Sequence, residues 1–230
     1  MSCLKGAFSG GAPLSEDLRQ NFGQKTGAII VEGYGMTETS PVTLINPFAP
    51  GAQKKGSVGL PISDTLCRIV DIEEGISDVP LGQRGELIIQ GPQVMKGYKG
   101  KPVETAKIIR DGWCYTGDIA VMDSDGYVFL VDRKKDLILS GGYNIYPYEI
   151  EAVLNGHPKI QESCAVGIPD ERKGEKVKVF LVLKEGETTT EQELLDFCRE
   201  RLAAYKLPAE IEFRKELPKS HLGKTLRRKL

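Results

Sequence analysis

Residues 56–131 alternate short apolar stretches with turn residues, and this alternation constrains the fold more than any other feature of the sequence. The apolar stretches read CRIVD, GELIIQ, DIAVMD and YVFLVD, and glycine or aspartate marks the turns between them. Short strands at this spacing are typical of a small β-rich barrel or sandwich. Asp125-Gly126, placed before YVFLVD, is also a strong hairpin signal. The sequence therefore predicts a β-rich barrel part over residues 51–131.

Residues 1–50 predict part of an α/β layer. A short strand and a Gly-rich turn lead to a helix that Ser15 can cap, and GAIIVEGYG then reads as a buried strand that runs into a loop. The helix carries apolar residues at the spacing of an inward-facing stripe: Leu14, Leu18 and Phe22. Chains rarely begin inside such a layer, so we expect Met1 to be an artificial or truncated start. Residues 1–131 would then be the remnant of a larger domain.

After Asp132 the pattern becomes that of a compact α+β domain over residues 137–230. Tyr148–Leu154 reads as a helix, and SCAVGI and KVKVFLVLK read as strands. A second helix is predicted over Glu191–Leu202 behind the cap Thr190. Its inward face would consist of Leu194, Leu195, Cys198 and Leu202. The charged DRKKD segment, residues 132–136, is the best boundary between the two parts.

Charge and composition narrow the expected partners. The chain has 31 Lys and Arg residues against 32 Asp and Glu residues, so its overall charge gives no bias toward nucleic acid or acidic membranes. The charge is uneven, because seven basic residues between Arg214 and Leu230 face the single acid Glu216. We therefore expect this end of the chain to meet an anion.

Cysteine and histidine usage bears on location and on metal binding. The five cysteines show no CxxC pair and no metal-ligand spacing, which suits a reducing cytoplasm. Only two histidines, His157 and His221, are present, which argues against a histidine-based triad or a zinc site. No apolar run approaches the roughly 18 residues of a membrane span. The sequence predicts a cytoplasmic protein without a membrane span and leaves peripheral membrane contact open.

The segment Tyr34 to Thr39, YGMTET, follows the predicted buried strand and gathers groups that can bind a nucleotide. An aromatic ring can stack on a base, the Thr37 hydroxyl can bond a phosphate, and the Glu38 carboxylate can hold Mg²⁺. Gly35 supplies a tight turn between them. The same residues also suit a polar loop with one anchoring aromatic side chain, and chemistry alone leaves both interpretations open.

Three later segments carry further candidate groups. Asp118 emerges from a glycine turn, where it can accept ribose hydroxyls or act only as a turn residue. Gly141-Gly142 allow a backbone to approach a ligand closely. Lys224 lies in the basic tail, where it is either a solvated lysine or a mobile ammonium that stabilises charge on phosphoryl oxygens.

Seven segments, in one order over nearly the whole chain, resemble those of the adenylate-forming (AMP-binding) superfamily. This superfamily includes acyl-CoA synthetases, luciferases and peptide-synthetase adenylation modules. The segments are SGGAPL, YGMTE, GELIIQGPQVMKGY, YTGD behind Trp113, DRKKD, SGGYNI and LPKSHLGKT. Each one is a weak signal, but the ordered set is strong.

The resemblance implies a nucleotide site in the first part of the chain. Adenine would pack between Tyr34 and the backbone of residues 10–12, which are Gly10, Gly11 and Ala12. Thr37 would touch the α-phosphate of ATP, and Glu38 would hold the magnesium ion. Asp118 and Arg133 would bond the ribose.

The resemblance also implies a mobile lid over residues 137–230. Lys135 would be the pivot of a hinge at 132–136, whose exposed residues can absorb the change in backbone angles. The loop with Gly141, Gly142 and Tyr143 would line the tunnel for coenzyme A. Lys224 would be the catalytic lysine of adenylation.

The implied function is ATP-dependent activation of a carboxylic acid, followed by transfer of the acyl group to coenzyme A. GGYNIYPYEIE and YGMTETSPVTLINP resemble fatty-acyl and other acyl-CoA ligases more than luciferases or peptide-synthetase modules. The resemblance implies a medium- to long-chain fatty acid, with an aryl acid or a peptide-synthetase type of adenylation as alternatives. The family's Ser/Thr/Gly-rich phosphate loop does not occur in the sequence. We therefore expect these 230 residues alone to lack overall ligase activity. A non-catalytic nucleotide-binding module is the alternative from another class.

Overall fold

The computed structural model describes residues 3–12, 14–220 and 223–230. It divides into two compact units, residues 1–134 (unit 1) and residues 135–230 (unit 2). The division falls between Lys134 and Lys135, inside the charged segment 132–136. That this segment acts as a hinge stays a prediction.

Unit 1 begins with a four-stranded sheet in the order β1-β2-β3-β4. Its strands are β1 (Gly6–Ser9), β2 (Ile29–Gly35), β3 (Val42–Ile45) and β4 (Leu60–Pro61). The first two strands are parallel and are connected through helix α1 (Glu16–Thr26), whereas the other pairs are antiparallel. Because β1 and β2 are parallel, their carboxyl ends lie at the same edge of the sheet.

Helix α1 has the predicted cap but not the predicted buried stripe. The Ser15 hydroxyl accepts a hydrogen bond from the Leu18 amide at 3.3 Å, which satisfies one of the unpaired donors at the helix start. The helix contains no buried residue, and Leu18 is 57% exposed. The expectation that Leu18 faces inward was therefore wrong, because only a narrow strip of this helix lies against the sheet.

The second sheet of unit 1 is five-stranded and antiparallel, in the order β5-β6-β8-β7, with β9 also paired to β8. Its strands are β5 (Leu66–Val70), β6 (Gly85–Gln90), β7 (Ile109–Arg110), β8 (Trp113–Met122) and β9 (Val128–Arg133). Helix α2 (Pro102–Ile108), which the sequence reasoning did not predict, lies between β6 and β7 in the chain. The sheet forms half a barrel and confirms the predicted β-rich part.

The Asp125-Gly126 turn between β8 and β9 has the predicted hairpin geometry. Gly126 has a φ of +83°, and its amide donates to the Asp123 carbonyl oxygen at 3.0 Å. A positive φ of this size favours glycine, which explains why the sequence signal was strong.

A single apolar cluster joins the two sheets of unit 1. Tyr34 and Leu44 of the first sheet pack with buried residues of the second, which are Ile69, Leu87, Ile89, Ala120 and Val128. The α/β part and the β-rich part therefore share one core.

Unit 2 is an α+β unit around a five-stranded sheet in the order β11-β10-β13-β12, with β14 parallel to β13. Its strands are β10 (Ile138–Ser140), β11 (Tyr143–Ile145), β12 (Ile160–Asp170), β13 (Gly174–Leu183) and β14 (Glu210–Phe213). Helices α3 (Pro147–Asn155) and α4 (Glu191–Arg199) pack on the same apolar cluster as one face of this sheet. A smaller cluster of Cys164, Phe180, Val182 and Leu217 covers the other face.

Helix α4 begins where the sequence predicts and ends three residues earlier. The Thr190 hydroxyl accepts from the Glu193 amide at 3.1 Å and caps the helix. The amides of Arg201 and Leu202 both donate to the Cys198 carbonyl oxygen, which tightens the last turn and ends the helix at Arg199. Within the part of the chain that the structure describes, no helix has the length and apolar character needed to cross a membrane.

Gly35, at the end of β2, lies where two backbone segments are closely packed, and a substitution there tests this packing. A β-carbon at this position would lie 1.6 Å from the Pro41 carbonyl oxygen, which belongs to the backbone and cannot rotate away. We expect Gly35→Ala to lower the free energy of unfolding by about 3 kcal/mol, the upper range for overpacking. Urea unfolding followed by circular dichroism measures the change.

Gly23→Ala is the matched control, because a β-carbon at this position of α1 would meet only the Ala28 carbonyl oxygen at an ordinary 3.8 Å. It should raise the free energy of unfolding by about 0.5–1 kcal/mol, since alanine favours a helix over glycine. Equal unfolding midpoints for the two variants would contradict the prediction.

Candidate functional site

Two loops with predicted site residues begin at the shared carboxyl edge of β1 and β2. Gly10, Gly11 and Ala12 follow β1 and are exposed, and Gly11 has a φ of +82°. A β-carbon at Gly10 would lie 3.5 Å from the Gly33 carbonyl oxygen of β2, so the two loops start side by side. In α/β sheets, crevices at the carboxyl ends of strands are the usual place for ligands.

Tyr34 lies at this edge, with its ring in the core of unit 1. The residue is 9% exposed, and its hydroxyl donates to Asp118 Oδ2 at 2.6 Å. Burial, together with the neighbouring Asp118 carboxylate, raises the pKa of the Tyr34 hydroxyl, so the group stays a proton donor at neutral pH. The structure thus gives Tyr34 an anchoring role, and stacking of adenine on its ring stays a prediction.

Asp118 is the point at which three predicted residues meet. Asp118 and Arg133 are partner residues on β8 and β9, and Arg133 Nε lies 3.4 Å from Asp118 Oδ1. Gly117, with a φ of +72°, turns the backbone just before Asp118. The Asp118 side chain is only 17% exposed, whereas that of Arg133 is 53% exposed. The structure therefore brings together a fixed carboxylate and an accessible guanidinium, groups that can bond the hydroxyls of a sugar.

The turn after β2 presents Thr37 and Glu38. Residues Thr37–Thr39 form one 3-10 turn, which the Thr39 hydroxyl stabilises by accepting from the Met36 amide at 3.1 Å. The Thr37 side chain is exposed, and the half-buried Glu38 carboxylate accepts from the Tyr98 hydroxyl at 2.5 Å. This hydrogen bond, with a smaller effect of burial, raises the pKa of Tyr98 to about 12. Tyr98 therefore fixes the Glu38 carboxylate, a role that the sequence reasoning missed.

Glu38 fits a magnesium ion only as one ligand among several. Among residues 3–12, 14–220 and 223–230, no group of three or more acidic, histidine or cysteine side chains could hold a metal ion by itself. Magnesium in nucleotide sites is usually held by one or two carboxylates together with phosphate oxygens and waters. A single fixed carboxylate is compatible with such a site, and magnesium binding by Glu38 stays a prediction.

Glu86 is a second residue that the sequence reasoning missed. It is 4% exposed, and its carboxylate accepts from the Gly117 amide at 3.2 Å and from Lys134 Nζ at 2.7 Å. It therefore ties the turn before Asp118 to the last residue of unit 1. The available signal was an acidic residue inside the apolar strand GELIIQ, since a buried carboxylate needs partners.

The predicted glycine loop of unit 2 is the turn between β10 and β11. Gly141 and Gly142 have φ values of +58° and +83°, and a β-carbon at either position would meet nothing within 4 Å. The Tyr143 ring is 55% exposed and stacks on Tyr205, with 4.4 Å between ring centroids. The loop therefore offers an open backbone beside an aromatic pair.

Lys224 lies in a tight exposed turn near the C-terminus. Lys219 and Thr225 pair across the turn, and the Ser220 amide donates to the Lys224 carbonyl oxygen at 2.8 Å. No acidic side chain in the described part of the chain forms an ion pair with Lys224. Pro13 of SGGAPL and His221 and Leu222 of LPKSHLGKT lie outside the described residues.

Comparison with known proteins identifies the class to which this chain belongs. The profile described as AMP-binding enzyme matches residues 1–99, and the profile described as AMP-binding enzyme C-terminal domain matches residues 149–224. The chain therefore belongs to the AMP-binding enzyme family. The expected mixed α/β architecture with a β-rich part is confirmed.

Relatives with similar sequences include acyl-CoA ligases and synthases. The chain is 50% identical over 230 residues to a long-chain-fatty-acid–CoA ligase of Bacillus subtilis, covering 100% of the chain and 41% of the relative. It is 43% identical over 227 residues to a feruloyl-CoA synthase of Amycolatopsis sp., covering 99% of the chain and 46% of that relative. Among solved structures, ATP-bound MatB from Rhodopseudomonas palustris superposes with a TM-score of 0.86 at 36% identity, covering 95% of this chain and 43% of that one. The chain thus spans less than half the length of these relatives.

The Glu86 bridge gives a test of how the Asp118 turn is held. Glu86→Gln keeps an oxygen for the Gly117 amide and loses the charge that holds Lys134. We expect the free energy of unfolding to fall by about 1.5–3 kcal/mol, the range for a hydrogen bond to a charged group. Limited trypsin digestion should also cut faster at Lys134 and Lys135.

Glu104→Gln, on the exposed surface of α2, is the control and should change neither quantity. Equal cleavage rates in the two variants would mean that Glu86 does not hold Lys134.

Proposed function

We propose that these residues act within an AMP-forming acid–thiol ligase, an acyl-CoA synthetase. Such an enzyme joins a carboxylic acid to AMP with release of pyrophosphate and then transfers the acyl group to coenzyme A. The observation that carries the proposal is the cluster of Tyr34, Asp118 and Arg133, which joins the end of β2 to the β8–β9 hairpin that starts about 80 residues later. The 50% identity to a long-chain-fatty-acid–CoA ligase supports it.

The nucleotide step is assigned to unit 1. The Asp118 carboxylate would accept hydrogen bonds from the ribose hydroxyls, while the Tyr34 hydroxyl holds Asp118 Oδ2 in place. Arg133 would donate a hydrogen bond to the same ribose. The exposed backbone of residues 10–12 would face the adenine, and the Thr37 hydroxyl would donate to the α-phosphate. Gly35 serves this arrangement by letting the Pro41 carbonyl approach β2.

Glu38 is assigned to the magnesium ion that accompanies ATP. Its carboxylate is held by Tyr98, so it is oriented before the ion arrives. Bound magnesium would neutralise charge on the phosphates. The protein's own contribution is to fix the carboxylate at the edge where the phosphates would lie.

The hinge is assigned to Lys135. Lys134 is tied to unit 1 through Glu86 at 2.7 Å, and Asp136 is tied to unit 2 through Arg227 at 3.8 Å. Lys135 lies between them with an exposed side chain. A backbone rotation at Lys135 would therefore break neither bridge, which is what a pivot requires.

Lys224 is assigned to adenylation. When a carboxylate attacks the α-phosphate and pyrophosphate leaves, negative charge grows on the bridging and phosphoryl oxygens, and an ammonium nearby stabilises it. The exposed Lys224 side chain sits on a turn with a hydrogen-bonded base, so it combines a fixed backbone with a mobile tip.

The acid is assigned as a medium- to long-chain fatty acid. The relative at 50% identity is a long-chain-fatty-acid–CoA ligase, whereas the feruloyl-CoA synthase at 43% identity makes an aryl acid the second candidate. ATP, the acid and coenzyme A are the proposed small-molecule partners, in a cytoplasmic setting that suits five unpaired thiols.

The Lys224 assignment is tested in a full-length ligase made by replacing the matching 41% of the Bacillus subtilis relative with this chain. Lys224→Ala should slow acid-dependent pyrophosphate release by about 10²–10³, as for loss of one charge-stabilising donor. Thioester formation from supplied acyl-adenylate should change little, because that step no longer needs the ammonium.

Lys215→Ala, which removes another exposed lysine of the basic tail, is the control and should change neither half-reaction. An equal loss in both half-reactions would contradict the assignment. A panel of fatty and aryl acids decides the acid class, and nucleotide binding without acid-dependent pyrophosphate release would favour a non-catalytic module.

The glycine loop predicts the opposite pattern from Lys224, with thioester formation lost and adenylation retained. Gly142→Leu should block thioester formation while acyl-adenylate accumulates, because the side chain would fill the space in front of the loop. Gly186→Leu is the matched control, since Gly186 has a φ of +79° and equally open surroundings, so the backbone strain is shared. Defective adenylation with a normal coenzyme A step would reverse the assignment.

A further inference from the structure

The turn that carries Lys224 is held at its base by two anchors. The Leu226 amide donates to the Pro218 carbonyl oxygen at 2.7 Å, which closes the turn. The first anchor is Leu217, which precedes the turn, is 3% exposed and packs in the Cys164, Phe180 and Val182 cluster. On the other side of the turn, the chain continues directly into Arg227.

Arg227 is the second anchor. Its guanidinium forms a bidentate pair with Glu151 of α3, with Nη1–Oε1 at 2.6 Å and Nη2–Oε2 at 2.9 Å. Nη1 also donates to the Ala165 carbonyl oxygen of β12 at 2.8 Å. Both side chains are largely buried, at 22% and 13% exposure. Glu151 in turn accepts from the Ala165 amide at 2.8 Å, so the pair is locked to both α3 and β12.

We propose that Arg227 is a positioning residue for Lys224. It fixes the chain just after the lysine turn against α3 and β12. Its Nε also lies 3.8 Å from Asp136, the residue next to Lys135. This proposal rests on the adenylation role of Lys224. Arg227 does not touch the reacting atoms; it determines where the backbone of the turn lies.

The bidentate geometry explains why an arginine stands at this position. A planar guanidinium fixes direction as well as distance, whereas a lysine would hold Glu151 through a single rotatable point charge. Arg227 is only three positions after Lys224, so a loosened guanidinium displaces the lysine backbone directly. A misplacement of about 1 Å can cost roughly 10²-fold in rate.

Hydrogen exchange on the 230-residue chain tests the clamp without relying on catalysis. Arg227→Gln should speed exchange of the Ser220 and Leu226 amides at least tenfold, with exchange in β13 unchanged. Glu151→Gln should speed exchange of the same amides. The double variant should exchange little faster than either single variant, because both substitutions remove the same Arg227–Glu151 pair. Arg228→Gln is the matched control, since Arg228 is the exposed neighbour. Unchanged exchange in Arg227→Gln, or loss of protection throughout unit 2, would overturn the proposal.

The kinetic arm uses the full-length hybrid ligase. Arg227→Gln should slow adenylation by about 10- to 100-fold and leave thioester formation from supplied acyl-adenylate within about twofold. Equal losses in both half-reactions would make Arg227 a purely structural residue and overturn the proposal. If Lys224→Ala leaves adenylation intact while Arg227→Gln loosens the turn, the proposed function fails and the clamp itself stands.

Discussion

The hydrogen bond between Tyr34 and Asp118 is the interaction on which the candidate site depends. It joins residues 84 positions apart, one at the end of the parallel pair β1-β2 and one on the antiparallel strand β8. It lies beside the apolar core that the two sheets of unit 1 share. It holds a carboxylate that is mostly shielded from water against Tyr34, three residues before Thr37. Burial raises the pKa of the Tyr34 hydroxyl, so the hydroxyl stays a proton donor at neutral pH.

Carboxylates also define the boundary between the units. Glu86 holds Lys134 from one side, and Arg227, itself held by Glu151, contacts Asp136 from the other. A partly buried charge is stable only when it is paired, so each of these bridges fixes the residue that it binds. For the proposed hinge at residues 132–136, these two bridges leave Lys135 as the pivot. The Arg227 side chain that contacts Asp136 also holds the chain next to the lysine turn.

The sequence predicted those elements whose cause is local. Thr190 caps α4 and Asp125-Gly126 turns the β8–β9 hairpin, because hydroxyl caps and positive φ angles depend on a few neighbouring residues. Leu18 was misassigned because helical spacing shows which residues share a face and not how wide the packed strip is. Glu86, Tyr98 and the Arg227–Glu151 pair were missed for a related reason. Their partners lie 31 to 76 residues away, and no local pattern specifies them.

The two candidate loops of unit 2 are anchored at opposite ends of β13. The glycine loop is anchored beside Gly174, since the Gly141 amide donates to the Lys173 carbonyl oxygen and Ser140 pairs with Gly174. The lysine turn is anchored at the far end of β13, since Lys219 pairs with Glu162, the partner of Val182. Gly174 and Val182 are eight residues apart on one strand, which at about 3.3 Å per residue separates the anchors by about 26 Å. Under the proposed function both loops must reach the same adenylate, one in each half-reaction. Two loops fixed to one sheet at points this far apart are what the proposed hinge at Lys135 predicts, since each half-reaction would then bring a different loop to the adenylate.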